Sequence, residues 1–123
     1  VRLTGEADLG RLRRRLRTLL PNASPFVLTR ILTVASELGR NVLVHGGGGR
    51  CDILPPAPDL RLFRLRFADE GPGIVDIERA LGDGYSTNGG LGLGLGGARR
   101  LSETFHIDSA PGRGTRIRVA LPC

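Results

Sequence analysis

The apolar residues Val27, Ile31, Val34, Leu38 and Val42 recur at three- and four-residue steps, and Ser24-Pro25 stands directly before them. Serine at a helix N-cap and proline at the first helical position are favoured starts, so this stretch predicts a helix from Pro25 to about Val44, stopped by the glycines 46–49. A helix of that length with one apolar stripe must lay the stripe on another layer. The chain supplies the candidates. Leu9, Leu12, Leu16 and Leu19 mark a second amphipathic helix from about Glu6 to Leu20, closed by Pro21 and Pro25. Phe63, Leu65 and Phe67 alternate with Arg64 and Arg66 in a strand from Leu60 to Ala68, and Ile117, Val119 and Leu121 alternate with Arg116 and Arg118 in a strand from Thr115 to Leu121.

Shorter strands are expected at Val1 to Thr4, Arg50 to Leu54 and Phe105 to Ser109, with Pro55, Pro56 and Pro58 as the turn after the second. Asp76 is placed to cap a short helix through Leu81, and a further helix is expected from Leu91 or Gly92 to about Thr104. Strands adjacent in sequence pair most readily as hairpins. The order therefore predicts an α/β (α+β) two-layer sandwich, with a mixed, mostly antiparallel sheet and helices on one face. At 123 residues the chain suits a single domain spanning residues 1–123.

Composition narrows the function. All eighteen basic residues are arginine and the formal charge is +6, which raises nucleic acid as a partner. Five of these arginines, at 11, 13, 14, 15 and 17, form the polar side of the first helix, and with one Tyr and four Phe there is little to stack on bases, so nucleic-acid binding is not expected. Without lysine the chain can build neither a P-loop nor the strand lysine of a eukaryotic-type protein kinase. No apolar run approaches the roughly 20 residues of a membrane span, and no signal peptide is expected. Cys51 and Cys123 have neither disulfide-framework nor zinc spacing and read as reduced thiols of a cytoplasmic protein.

Three features carry chemistry. Glu37 and Asn41, four apart, share one face of the predicted helix away from the stripe of Val34, Leu38 and Val42. A carboxylate that takes a proton beside a carboxamide that ligates Mg²⁺ is a minimal phosphoryl-transfer pair, although alone the two read first as a solvated polar face. In Asp69-Glu70-Gly71-Pro72-Gly73 an acid at a strand end precedes glycines that permit a tight turn, where a carboxylate can accept from an exocyclic amine such as adenine's. Gly90, Gly92, Gly94 and Gly97 open a helix whose free N–H groups attract phosphate. A dinucleotide-fold reading of those glycines fails for want of a strand running directly into them.

In order and spacing these features resemble the N, G1 and G2 boxes of the GHKL ATPases, along the whole chain. Ala35 to Gly49, ASELGRNVLVHGGGG, and Asp83 to Leu101, DGYSTNGGLGLGLGGARRL, are similar to the anti-sigma-factor and stressosome switch serine/threonine kinases of that superfamily. The resemblance implies the Bergerat ATP-binding fold, with ATP and Mg²⁺ as cofactors. It implies Glu37 as general base, Asn41 as metal ligand, Asp69 as reader of the adenine amine, Gly71 and Gly73 as walls of the adenine pocket, and Thr115 as support for Asp69. It also implies that Ser86, Thr87, Gly90, Leu91, Gly92, Leu93 and Gly94 line the nucleotide site.

As partners the resemblance implies a STAS-domain antagonist, with a sigma factor, a metal-dependent serine phosphatase or a second copy of the chain as further options. The lid between Ile74 and Gly89 is short, and no dimerisation helix with a phosphoacceptor histidine is seen, so the catalytic domain of a sensor histidine kinase is the weaker reading. Kinases of the sporulation type carry an arginine where this chain has Asn88, so turnover is expected to be slow unless a partner supplies a cation. Arg40, Arg99 and Arg100 are candidates to meet an acidic partner.

Overall fold

A computed structural model describes residues 1–57, 61–82 and 94–123. Its elements run β1 (Arg2–Leu3), α1 (Glu6–Leu19), α2 (Pro25–Val44), β2 (Gly49–Ala57), β3 (Leu62–Asp69), α3 (Ile77–Ala80), α4 (Gly94–Leu101), β4 (Thr104–Ser109) and β5 (Thr115–Pro122). The strands form one five-stranded sheet in the order β1-β2-β3-β5-β4, and its four ladders are all antiparallel. Helices cover one face, giving the expected two layers.

The helix starts are set by local chemistry. Ser24 Oγ accepts the Val27 amide at 3.2 Å with Pro25 at the first position of α2. Asp8 does the corresponding work at α1, where one carboxylate oxygen accepts from the Thr4 and Gly5 amides and the Thr4 hydroxyl. The α2 stripe is buried as its period requires, but the buried sector is wider: Ala35, Glu37 and Gly39 join Ile31, Val34, Leu38 and Val42. Gly39 is needed there, since a Cβ would lie 2.5 Å from a Leu9 methyl where α1 crosses. Across the layers Leu3, Leu9, Leu12, Leu16, Phe67 and Ile117 join the α2 stripe in one core.

Two boundaries differ from the sequence expectation. β2 does not stop at Leu54 but continues through Pro55 and Pro56 to Ala57, with a register shift between Leu54 and Ala57. The two residues of β1 pair only with Gly49 and Arg50, so the far half of β2 is a sheet edge among the described residues. A missing N–H costs little on an edge or at a bulge. The last helix ends at Leu101 rather than near Thr104, because the Ser102 hydroxyl turns back onto the Ala98 carbonyl at 2.7 Å and Thr104 pairs with Ala120 in β4. The expected start of that helix at Leu91 or Gly92 lies outside the described residues.

Candidate functional site

The site grows from one row of the sheet. Gly49, Asp69, Thr115 and Ser109 are successive cross-strand partners on β2, β3, β5 and β4. They sit at odd positions of β3 and β5, the parity that faces the helices. Asp69 and Thr115 are each only 5% exposed.

One oxygen of the Asp69 carboxylate accepts the Gly71 amide at 2.9 Å, two residues on, which fixes the side chain against its own turn. Gly46, just past the end of α2, packs on the same carboxylate, so closely that a Cβ there would lie 2.3 Å from its carboxyl carbon. Gly71 in turn abuts the Gly46 backbone, and Gly73 adopts φ +79° with its missing Cβ aimed at the Ala110 carbonyl. Glycine thus lets three backbone segments close on one buried acid.

Thr115 reaches that cluster through Ser109. The two hydroxyls are 2.8 Å apart, and Ser109 Oγ also donates to the Gly114 carbonyl and accepts the Ile74 amide at 2.8 Å. One hydroxyl therefore joins the turn at 110–114 to the loop after Asp69. Ser109 and Gly46 were not singled out from sequence. Ser109 reads there only as the last residue of a strand and Gly46 as one of four glycines in a helix stop.

Glu37 and Asn41 lie one turn apart on the C-terminal half of α2, which ends at this acid cluster and packs against α4. Glu37 is 9% exposed, so the pair is no solvated polar face. A guanidinium nitrogen of Arg40 stands 3.7 Å from a Glu37 carboxylate oxygen. Arg40 is thereby tied to the site rather than held out wholly for a partner. Asn41 is half-buried, and its carboxamide makes no hydrogen bond among the described residues. Of the glycine-rich run the structure describes Gly94, at φ +53°, and Gly97, which is buried within α4. Ser86, Thr87, Gly90, Leu91, Gly92 and Leu93, with Asn88, lie outside the described residues. His45 caps the end of α2 and is exposed, as are Arg99, Arg100 and His106.

The site is thus a long helix that ends on a glycine-lined acid at a strand terminus. Residues 27–123 match the family model of the histidine kinase-, DNA gyrase B-, and HSP90-like ATPases. The chain belongs to this ATPase family. Among curated relatives of the family member, serine/threonine-protein kinase RsbT of Bacillus subtilis is 42% identical over 91 residues, covering 73% of this chain and 68% of the relative. The anti-sigma F factor of Bacillus velezensis is 34% identical over 98 residues, covering 75% and 67%.

Solved structures give the same fold. Full-length ShkA in complex with AMPPNP superposes with a TM-score of 0.59 at 22% identity over 94% of this chain and 30% of that one. The histidine kinase domain from the Erythrobacter litoralis EL346 blue-light activated histidine kinase does so at 0.58 and 19%, over 99% and 65%. The chain therefore spans about two thirds of these curated relatives and less of the solved proteins.

The residues fit a nucleotide carrying its own cation. Among the described residues no group of three His, Cys, Asp or Glu could cage a metal, and the site offers one carboxamide oxygen, from Asn41. That donor set suits Mg²⁺ held chiefly by phosphates. Among the described residues the Asp69 oxygen that the Gly71 amide does not engage is an acceptor of the kind an exocyclic amine requires.

No helix among the described residues is long and apolar enough to cross a membrane.

Proposed function

We propose that this ATPase-family domain binds Mg·ATP and is a protein serine/threonine kinase, whose acceptor is a STAS-domain antagonist in a bacterial partner-switching module. The observation that carries the reading is the buried Glu37 one helical turn before Asn41, whose carboxamide has no partner among the described residues, on the helix whose end packs through Gly46 on the Asp69 carboxylate. The 42% identity to RsbT supports the same assignment.

In this reading Asp69 accepts a hydrogen bond from the adenine amine through the oxygen that Gly71 leaves free, with Thr115 and Ser109 steadying its turn. Gly71 and Gly73 wall the base, and the run from Gly90 to Gly94, with Ser86 and Thr87, lies along the phosphates. Asn41 ligates Mg²⁺, which when bound neutralises phosphate charge. Glu37, held by Arg40, accepts the proton of the serine or threonine hydroxyl as that oxygen takes the γ-phosphoryl group and ADP leaves. Glu37 has the burial of a general base shielded from water.

Calorimetric titration with ATP, with and without Mg²⁺, followed by phosphate transfer to candidate STAS proteins, tests it. Asn41→Ala and Asp69→Asn are expected to weaken metal-dependent binding at least about tenfold, a hydrogen bond to a charged group being worth about 1.5–3 kcal/mol. Glu37→Ala is expected to bind nucleotide and transfer nothing. Transfer retained in Glu37→Ala removes it as the base.

The relation to anti-sigma F factors favours a second reading, a nucleotide-gated module that holds a sigma factor or contacts a metal-dependent serine phosphatase, as a single chain or a homodimer. Glu37→Ala that still exchanges partners on ATP addition, with no phosphate transferred by the unaltered protein, selects it.

A further inference from the structure

The helices cover one side of the sheet and leave the other open, and the open side is charged in a way the fold does not require. On β3 and β5 the even positions face outward, so Arg64 and Arg66 share that side with Arg116 and Arg118, and Arg50 joins them from β2. The acids Asp52 and Asp108 complete the charged set, with the His106 imidazole on the same side. Arg66 and Arg118 are direct cross-strand neighbours, and His106 lies across from Arg118. Like charges placed opposite one another cost stability, so this row is not explained by sheet formation.

The acids do little to balance it. A single carboxylate oxygen of Asp52 serves both Arg50, at 3.4 Å, and Arg66, at 3.1 Å. Arg116 and Arg118 have no ion-pair partner among the described residues, although Asp108 is across from Arg116. Beside them lies a depression of about 150 Å³ whose lining includes Leu54, Arg64, Thr104, His106, Arg118 and Ala120. That volume holds one aliphatic side chain.

We propose that this open face is a docking surface for an acidic segment of a partner protein that carries an aliphatic residue. Carboxylates of the partner would meet Arg116 and Arg118 while the aliphatic group enters the depression. Nucleic acid fits less well: the described residues of this face include no Phe or Tyr for stacking, and Asp52 and Asp108 would oppose phosphates. The surface lies across the sheet from α2, so the proposal does not rest on the kinase reading.

The probe is a fluorescent twelve-residue peptide of alternating Glu and Leu, titrated with the full chain at low salt and followed by anisotropy, with amide chemical shifts mapped by NMR. Arg116→Glu with Arg118→Glu is expected to weaken binding at least about tenfold, while Arg14→Glu with Arg15→Glu on α1, an equal change in charge, changes it less than about twofold. Shifts are expected on β3, β4 and β5 around Leu54, His106 and Ala120. Where circular dichroism shows that charge reversal unfolds the sheet, Arg116→Gln with Arg118→Gln is expected to give a smaller loss in the same direction.

Equal losses in the two double variants would mean that only net charge is sensed, and shifts confined to α1 would place the contact elsewhere. A DNA duplex that competes through Arg116 and Arg118 more tightly than the peptide would make this a nucleic-acid surface, and no saturable peptide binding below about 1 mM would leave no docking site. Each of these overturns the proposal.

Discussion

At the scale of single residues, the acid cluster depends on atoms that are missing. A methyl at position 46 would stand 2.3–2.5 Å from atoms of the Asp69 side chain, well inside van der Waals contact, so Gly46→Ala must push the carboxylate off the Gly71 amide or bend the end of α2. Both shifts occur where the proposed adenine pocket lies, and the α1–α2 core is remote from them. Nucleotide affinity is therefore expected to fall at least about tenfold, roughly the loss of one charge-assisted hydrogen bond, while the far-ultraviolet spectrum stays native. Gly47→Ala, with open space around its Cβ but φ +73°, controls for strain alone. Calorimetry of the two variants decides it, and unchanged affinity in Gly46→Ala would separate this carboxylate from nucleotide recognition. The Asp69 motif itself was legible in the sequence, because an acid before Gly-x-Gly is a local pattern. Gly46 and Ser109 were not, because their roles come from contacts with residues 23 and 35 positions away, which no local period encodes.

At the scale of elements, periodicity read α1, α2, β3 and β5 within a residue or two, since each buries one face and repeats with its own period. It failed on β2, where edge placement and a bulge excuse two prolines, and on the end of α4, where Ser102 rather than a glycine or proline closes the helix. It also placed Glu37 on a polar face, since a sequence period shows which residues point away from one layer but not whether another helix covers them. The start of α1 carries a testable charge. Hydrogen bonds from the Thr4 backbone, then its side chain, hold the Asp8 carboxyl below its ordinary value of 3.8. A depressed acid stabilises the fold above the unfolded carboxylate range, and that contribution is lost as pH falls through the folded-state value below 3.8. Asp8→Asn is therefore expected to melt lower than the unaltered chain at pH 7, with the gap closing in acid. Melting curves from pH 7 to about pH 2.5 check this, and a gap independent of pH would assign the loss to altered hydrogen bonding instead of charge.

At the scale of the whole molecule, the two thiols report on different events. Cys51 lies in the core between the sheet and the helices with no exposed surface, and loss of hydration pushes its thiol up to about 12. Cys123 is exposed at the other end of the chain. Because the thiolate is the nucleophile, native Cys51 at pH 8 is blocked both by cover and by protonation, whereas Cys123 is open to alkylation. In iodoacetamide one thiol per chain is expected to react promptly, and the second only as fast as the core opens. If that opening is global, a ligand bound only by the folded state slows it by the free energy of binding, about 2.7 kcal/mol at a hundred times Kd. Saturating Mg·ATP should then slow alkylation of Cys51 roughly a hundredfold and leave Cys123 unaffected, when each site is followed by mass spectrometry. Slowing at Cys51 ties the nucleotide site to the stability of the entire two-layer core. Equal, ATP-insensitive reaction of both thiols would show instead that the β2 side of the core opens on its own, without unfolding the site.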